Sequence, residues 1–391
     1  KRQMSSDARP GAAPSVQLLV AVGIGIALGR WLFAANRTVV HAFPDGVAQL
    51  AMARWIAGGT QWSMLDHSTW QPGLAILIAP VYWLTDDPSL VFRAAIVTNC
   101  LLAGISAGIG CRLIHRLTEL PARTCAAITV FVAMLPASIS ASAYVWAEPL
   151  VTLCFLATVS AALRSVDDPR IGTAYRPIVW SALGYLAHGR LLPLAAVAVL
   201  LVVAVAWRRA NRRLAAFAVA LGAALLVAVQ IVTAIVHRAV WTNADDTNTV
   251  VETLRRLGRP SELVEWGAGQ LWYQLVTTAG LFGFGVVVLV RAAAQRQPSG
   301  GLVRPRDARV LLAFTVPLVA LSVLFMAGRM RSDHMIYGRY TDAIAWPVIA
   351  IALAWLIRNT TTARSRDLTL SIVGVSIACL ISAGVVHRRF G

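Results

Sequence analysis

The sequence predicts an all-α fold, a polytopic transmembrane helical bundle, and three observations carry that prediction. Hydrophobic residues make up 58% of the 391 residues and charged ones only 14%, with a mean hydropathy of +0.67. No soluble domain of this length needs so much apolar surface. The apolar residues gather into runs long enough to cross a bilayer, about eleven of them. The basic residues fall between those runs, where topology signals and headgroup contacts belong.

The runs lie at 16–33, 92–114, 124–140, 146–163, 175–188, 191–207, 214–237, 271–290, 310–327, 342–357 and 368–386. The run 73–84, GLAILIAPVYWL, is too short for a span and contains Pro80, so it reads as a helix at or dipping into the interface. The short pair 175–188 and 191–207 is split by His188, Gly189 and Arg190 and reads as two short spans or one broken hairpin. The stretch 295–308 reads as a flexible linker. Residues 1–391 therefore form a single transmembrane domain, without a separate soluble one. Lys1 in place of Met points to a start upstream, and the first run lacks a small-residue cleavage site.

Alternating the runs from a cytoplasmic N-terminus puts most of the 35 basic residues inside and most acids outside, as the positive-inside rule requires. The expectation is a multi-pass protein of the cell membrane with its active face extracytoplasmic. Its long external segments are 34–91, with membrane-surface helices, then 238–270 and 328–341. Such loops are where binding and catalysis concentrate.

The net charge of +17 does not point to nucleic acid. No basic face is interleaved with the aromatics that single-strand binding needs. Cys100, Cys111, Cys125, Cys154 and Cys379 match neither a metal site nor a disulfide framework and read as small buried hydrophobes.

Five places could carry chemistry. Asp45, in HAFPDGVAQLAMARW just past the first run, is an acid at the membrane mouth, where charge tends to persist for function. It also suits a helix N-cap. Asp66, His67 and Trp70 follow. The aromatics fit a headgroup belt or a platform for a sugar ring. Asp66 and His67 are a weak divalent-ion signal unless Asp45 completes the site. Glu148, in ASAYVWAEPL, opens the fourth run with Pro149 behind it, as a helix-terminal carboxylate or a second site acid. Arg190 interrupts an apolar hairpin and needs a partner, a lipid phosphate or an acid; a snorkelling topological Arg is the plainer reading. The loop GRMRSDHMIYGRYTD packs Arg329, Arg331, His334, Tyr337, Arg339 and Tyr340 beside Asp333 and Asp342. Its Arg forks suit a phosphate ligand at the membrane surface.

Together these pieces resemble the membrane-embedded GT-C glycosyltransferases, the class of protein O-mannosyltransferases, lipid A aminoarabinose transferases and mycobacterial arabinofuranosyltransferases. The acid after the first span falls on Asp45. HSTWQPGLAILIAPVYWL is similar to the class's H/S-P-x-x-x-L-x-x-P-x-Y stretch, and Glu148 in YVWAEPL to its second recurring acid. The resemblance implies a polyprenyl-phosphate sugar donor reached from the bilayer and a glycan, lipid or protein acceptor on the external face. Inversion follows, with Asp45 as general base. Positive charge from Arg190, Arg329, Arg331 and Arg339, with His334, Tyr337 and Tyr340 beside them, would hold the phosphate. Glu148, Asp66, His67 and Trp70 would supply a second site acid or contact the sugar. A divalent cation, Mg or Mn, stays open; Asp45, His67 and Glu148 are the residues that would hold it. Membrane lipids are expected partners. The rival reading is a transporter or flippase of a lipid-linked or polar solute, which the break at 188–190 favours.

Overall fold

The apolar runs become helices because a backbone in hydrocarbon must satisfy its own hydrogen bonds. The structure is a computed structural model, and it describes residues 12–37, 44–59, 64, 70–241, 255–295, 301–327, 338–359 and 365–390. Among these residues there is no strand, only an isolated bridge that ties Met64 to Trp241.

In chain order the helices are α1 Val16–Ala34, α2 Pro44–Ile56, α3 Gly73–Ile78, α4 Pro88–Thr118, α5 Ala122–Ala133, α6 Pro136–Ser142, α7 Glu148–Asp167 and α8 Ile171–Ala187. Then come α9 Leu192–Arg208, α10 Arg212–Val240, α11 Pro260–Thr277, α12 Leu281–Ala294, α13 Pro305–Met326, α14 Asp342–Asn359 and α15 Ser365–Phe390. Local chemistry sets the ends. Ser15 caps α1 by accepting from the Leu18 amide at 3.2 Å, and Asp87 caps α4 by accepting from the Ser89 amide at 2.8 Å. Helix α4 stops at Glu119, whose φ of 56° takes the left-handed cap conformation. Helices α1 and α4 meet through glycine: a Cβ on Gly104 would sit 2.4 Å from the Gly23 carbonyl oxygen.

Among the described residues seven helices are long and apolar enough to cross a membrane, and nine if each of two bent pairs counts as one span. That is fewer than the eleven expected, for reasons of length and shape. Helix α8 has only 17 residues, and the described apolar part of α15 runs over Val373–His387. The run 124–140 bends by 68° between α5 and α6, where Pro136 removes an amide from the helical ladder. The run 271–290, expected to be one straight span, turns by 108° between α11 and α12. The turn is made at Ala279 and Gly280, both with positive φ. The split at 188–190 resolves as two helices, α8 and α9, joined by a 3-10 turn at Gly189–Leu191.

The run 73–84 is a surface element, α3 continued by a 3-10 turn at Ala79–Trp83. Two apolar clusters matter for the site. The larger one lies among α4, α5, α7, α9, α12, α13 and α14. The second joins α2 and α3 to the outer ends of α4 and α10. All five cysteines are free thiols, four of them buried.

Candidate active site

Helix α2 carries Asp45 in its first turn. Its register is fixed by Gln49, which donates from Nε2 to the Gln71 carbonyl at 3.1 Å and accepts the Ala75 amide on Oε1 at 3.0 Å. This double clasp brings the strip before α3 over the start of α2. Trp70 then donates from its indole nitrogen to Asp45 Oδ1 at 3.0 Å. Trp70 is held in turn by stacking on Trp241 at 6.0 Å and by His237, whose Nε2 lies 2.8 Å from the Trp70 carbonyl.

The segment before α7 is pinned from α4. Asn99 Nδ2 donates to the carbonyls of Tyr144 at 2.8 Å and Trp146 at 3.0 Å. That fixes the turn which delivers Glu148 to the helix start. Tyr144 and Trp146 stack at 4.4 Å with 20° between their planes.

Arg339 joins the two acids. It sits in the 3-10 turn Gly338–Tyr340. Its Nε donates to Glu148 Oε1 and its Nη2 to Asp45 Oδ2, while its guanidinium lies 4.2 Å over the Trp146 ring. Arg37 covers the far face of the aromatic pair, 4.4 Å from the Tyr144 ring centre. Two planar cations thus cap two stacked rings, an arrangement open to Arg and not to Lys. Gly338 is required here because a Cβ would lie 1.8 Å from the Tyr273 ring. Just beyond, Asp342 accepts from Gln274 Nε2 at 2.9 Å, with the Tyr273 hydroxyl at 3.5 Å.

Asp45, Glu148, Arg339 and Trp70 therefore meet, as the sequence allows but cannot require. Asp45 is not simply a helix cap, since both its oxygens accept from side chains of distant segments. Trp70 serves both Asp45 and Trp241. Arg190 has its guanidinium 5.0 Å over Phe325 and its Nη2 3.8 Å from Met326 Sδ. Beside it His188 is half-buried, and desolvation together with the guanidiniums of Arg190 and Arg339 pushes its pKa well below the ordinary histidine value. Asp66, His67, Arg329, Arg331, His334 and Tyr337 lie outside the described residues, and Tyr340 is described only in its backbone.

Below the acids opens a cavity of about 390 Å³, lined by Arg30, Ser106, Ser140, Glu148, Arg339 and Asp342 among others. That volume is within the range of small-ligand sites. Arg30 belongs to α1 and is only 6% exposed. It donates to Ser142 Oγ at 2.8 Å and to the Ala133 carbonyl at 2.5 Å, a carbonyl at the α5–α6 bend. Among the described residues Arg30 makes no ion pair, and Glu148 Oε2 is buried without a hydrogen-bond partner. The cavity is thus lined both by a buried cation, Arg30, and by Glu148, whose carboxylate keeps one buried oxygen unused.

Among the described residues no group of three His, Cys, Asp or Glu could hold a metal. Arg339 occupies the space between Asp45 and Glu148, so a cation bridging these acids would have to displace it.

No protein-family model matches the chain, and no curated protein matches it in sequence. Its fold does match solved structures. The oligosaccharyltransferase AglB from Archaeoglobus fulgidus, solved with an inhibitory peptide and a dolichol-phosphate, is similar over 95% of this chain with a TM-score of 0.50 and 12% identity. The chain has the GT-C fold. It spans 55% of the length of AglB. The arabinosyltransferase EmbB from Mycobacterium smegmatis is similar over 88% of this chain and 35% of its own length, at TM-score 0.44 and 16% identity.

Proposed function

We propose that this chain is a membrane glycosyltransferase that moves a sugar from a polyprenyl-phosphate donor onto an acceptor hydroxyl on the extracytoplasmic face, with inversion. One observation carries the reading: Arg339 holds Asp45 and Glu148 together, and Arg339 and Glu148 line one cavity with the buried Arg30, which makes no ion pair among the described residues. The GT-C fold and the dolichol-phosphate in AglB support it.

The chemistry divides between the acids held on Arg339 and the buried Arg30. Asp45 takes the acceptor hydroxyl proton as that oxygen bonds to the anomeric carbon. Each Asp45 oxygen accepts one hydrogen bond already and keeps a lone pair for the acceptor. The bond from the anomeric carbon to the donor phosphate breaks, and its electron pair leaves with the phosphate oxygen. Arg30 faces that developing charge from within a low-dielectric wall, where a fixed cation stabilises it most. Glu148, with one buried oxygen still unused, is the second candidate base. Purified protein assayed with a lipid-phosphate sugar separates the two. Asp45→Asn removes transfer and Glu148→Gln retains a measurable share of it. The opposite pattern assigns the proton to Glu148, and full transfer in both variants removes the acids from the chemistry.

A transport reading is favoured only by the α8–α9 break with its half-buried His188. Movement of a lipid-linked solute across proteoliposomes without bond cleavage would establish that reading in place of the first.

A further inference from the structure

At the end of the bundle opposite Asp45, helices α1, α4, α7 and α8 leave two adjoining cavities of about 340 Å³ and 350 Å³ that share Ser160 and Arg164. Their lining changes character along each helix. On α4 it passes from Arg112 to Ile109, on α7 from Arg164 to Ala161 and Ala157, and on α8 from Arg176 to Val179 and Trp180. Three helices thus repeat one pattern, a guanidinium at the outer turn and apolar surface one turn deeper.

The charges at this end are not evenly satisfied. Asp167 takes Arg116 at 2.8 Å and also Arg306, Glu119 takes Arg304 at 2.6 Å, and Asp168 takes Arg170 at 2.8 Å. Buried Asp307 takes Arg306 at 3.4 Å. The described acids here are all paired, and none pairs with Arg112, Arg164 or Arg176. Arg164 reaches only Ser160 Oγ, at 3.4 Å, and Arg176 lies 5.8 Å from the Tyr175 ring centre. Arg112, Arg116 and Arg176 are all close enough to Arg164 to repel it. Guanidiniums crowded on one cleft without acids are relieved by an anion, and the Arg fork matches phosphate oxygens.

A soluble phosphate would use the rim and leave the apolar depth idle. We propose that this cleft binds an anionic phospholipid. Arg112, Arg164 and Arg176 hold its phosphodiester, and an acyl chain lies over Ile109, Ala157, Val179 and Trp180. Basic pockets between membrane helices are the sequence-readable form of such sites.

The test is lipid retention by the purified full chain, titrated with phosphatidylglycerol, phosphatidylcholine or soluble glycerol 3-phosphate and read by native mass spectrometry. Phosphatidylglycerol is expected to be held over phosphatidylcholine. The Arg112→Gln, Arg164→Gln, Arg176→Gln triple variant should weaken that retention on the order of 100-fold, at about fivefold per arginine. Arg208→Gln, Arg209→Gln, Arg213→Gln removes the same charge from exposed positions of the same end and should leave retention near wild type. Arg176→Glu, at an exposed position, gives a second reading should the triple variant not fold, and it too should lose retention. Equal losses in the control triple, unchanged retention in the cleft variants, or displacement by glycerol 3-phosphate as effective as by phosphatidylglycerol would each overturn the proposal.

Discussion

The two ends of the bundle handle charge in opposite ways. At the Asp45 end one guanidinium serves two carboxylates, with side-chain exposures of 13% for Arg339, 10% for Glu148 and 25% for Asp45. Aromatic rings cover it and Asn99 and Gln49 fix its frame. At the opposite end most pairs are exposed, as in Arg304 with Glu119 at 62% and 51%, buried Asp307 being the exception, and several described arginines there find no acid. Water screens the second set and hardly reaches the first. A fixed, poorly solvated constellation suits work on a developing charge. A screened, surplus-basic end suits topology and adaptable lipid contacts.

The sharpest way to break this comparison is at Asp45. Asp45→Asn should lower sugar transfer by roughly 100-fold to 10,000-fold while the thermal midpoint stays close to wild type. Transfer at the wild-type rate would remove the Asp45 end from catalysis. Next, Arg339→Gln leaves two neighbouring carboxylates without their cation, which should cost about 3 kcal/mol of stability, measured by thermal or denaturant unfolding in detergent. Arg339→Lys should recover only part, since a compact ammonium cannot address both acids and the Trp146 face together.

Gly338→Ala is a steric version of the same test. The added methyl would overlap the Tyr273 ring, and the turn must move. A loss of about 1–3 kcal/mol is expected, together with reduced transfer. His188 gives a pH signature. It is neutral when folded, because its pKa is depressed. The unfolded chain takes up a proton below about pH 6.5 and the folded one does not, so stability should fall as pH drops through that value, by at most about 1.4 kcal/mol per pH unit. His188→Asn should flatten that slope, and an unchanged slope would assign the effect to other groups. The smallest effect belongs to the other end. Arg304→Gln, which breaks only the exposed pair with Glu119, should cost under about 1 kcal/mol and lose even that at high salt. A cost matching that of Arg339→Gln would erase the contrast between the ends.

Much of this was legible in the sequence. Asp45, Glu148 and the 328–342 loop stand out as acids and arginines at span mouths, and hydropathy alone places them on one side. That they meet through Arg339 was not legible, because pairing across the bundle leaves no local spacing. Arg30 did leave a signal, a lone charge inside an apolar run, but the same signal marks an ordinary snorkelling residue. Tyr273 and Gln274 left none. They sit inside a run that reads as a straight span, and hydropathy is blind to the turn that Ala279 and Gly280 impose. Asn99 and Gln49 are single amides whose value comes only from the carbonyls brought to them.

The bond from Arg339 to Asp45 closes a loop of 294 residues. Contacts of such separation form late, after the intervening chain is in place. While the protein is being made, the first acid enters the membrane long before its cation exists. A half-inserted chain would carry Asp45 and Glu148 without the group that orients them. Catalytic competence on this architecture is thus a property of the finished bundle, withheld from every shorter intermediate on the way to it.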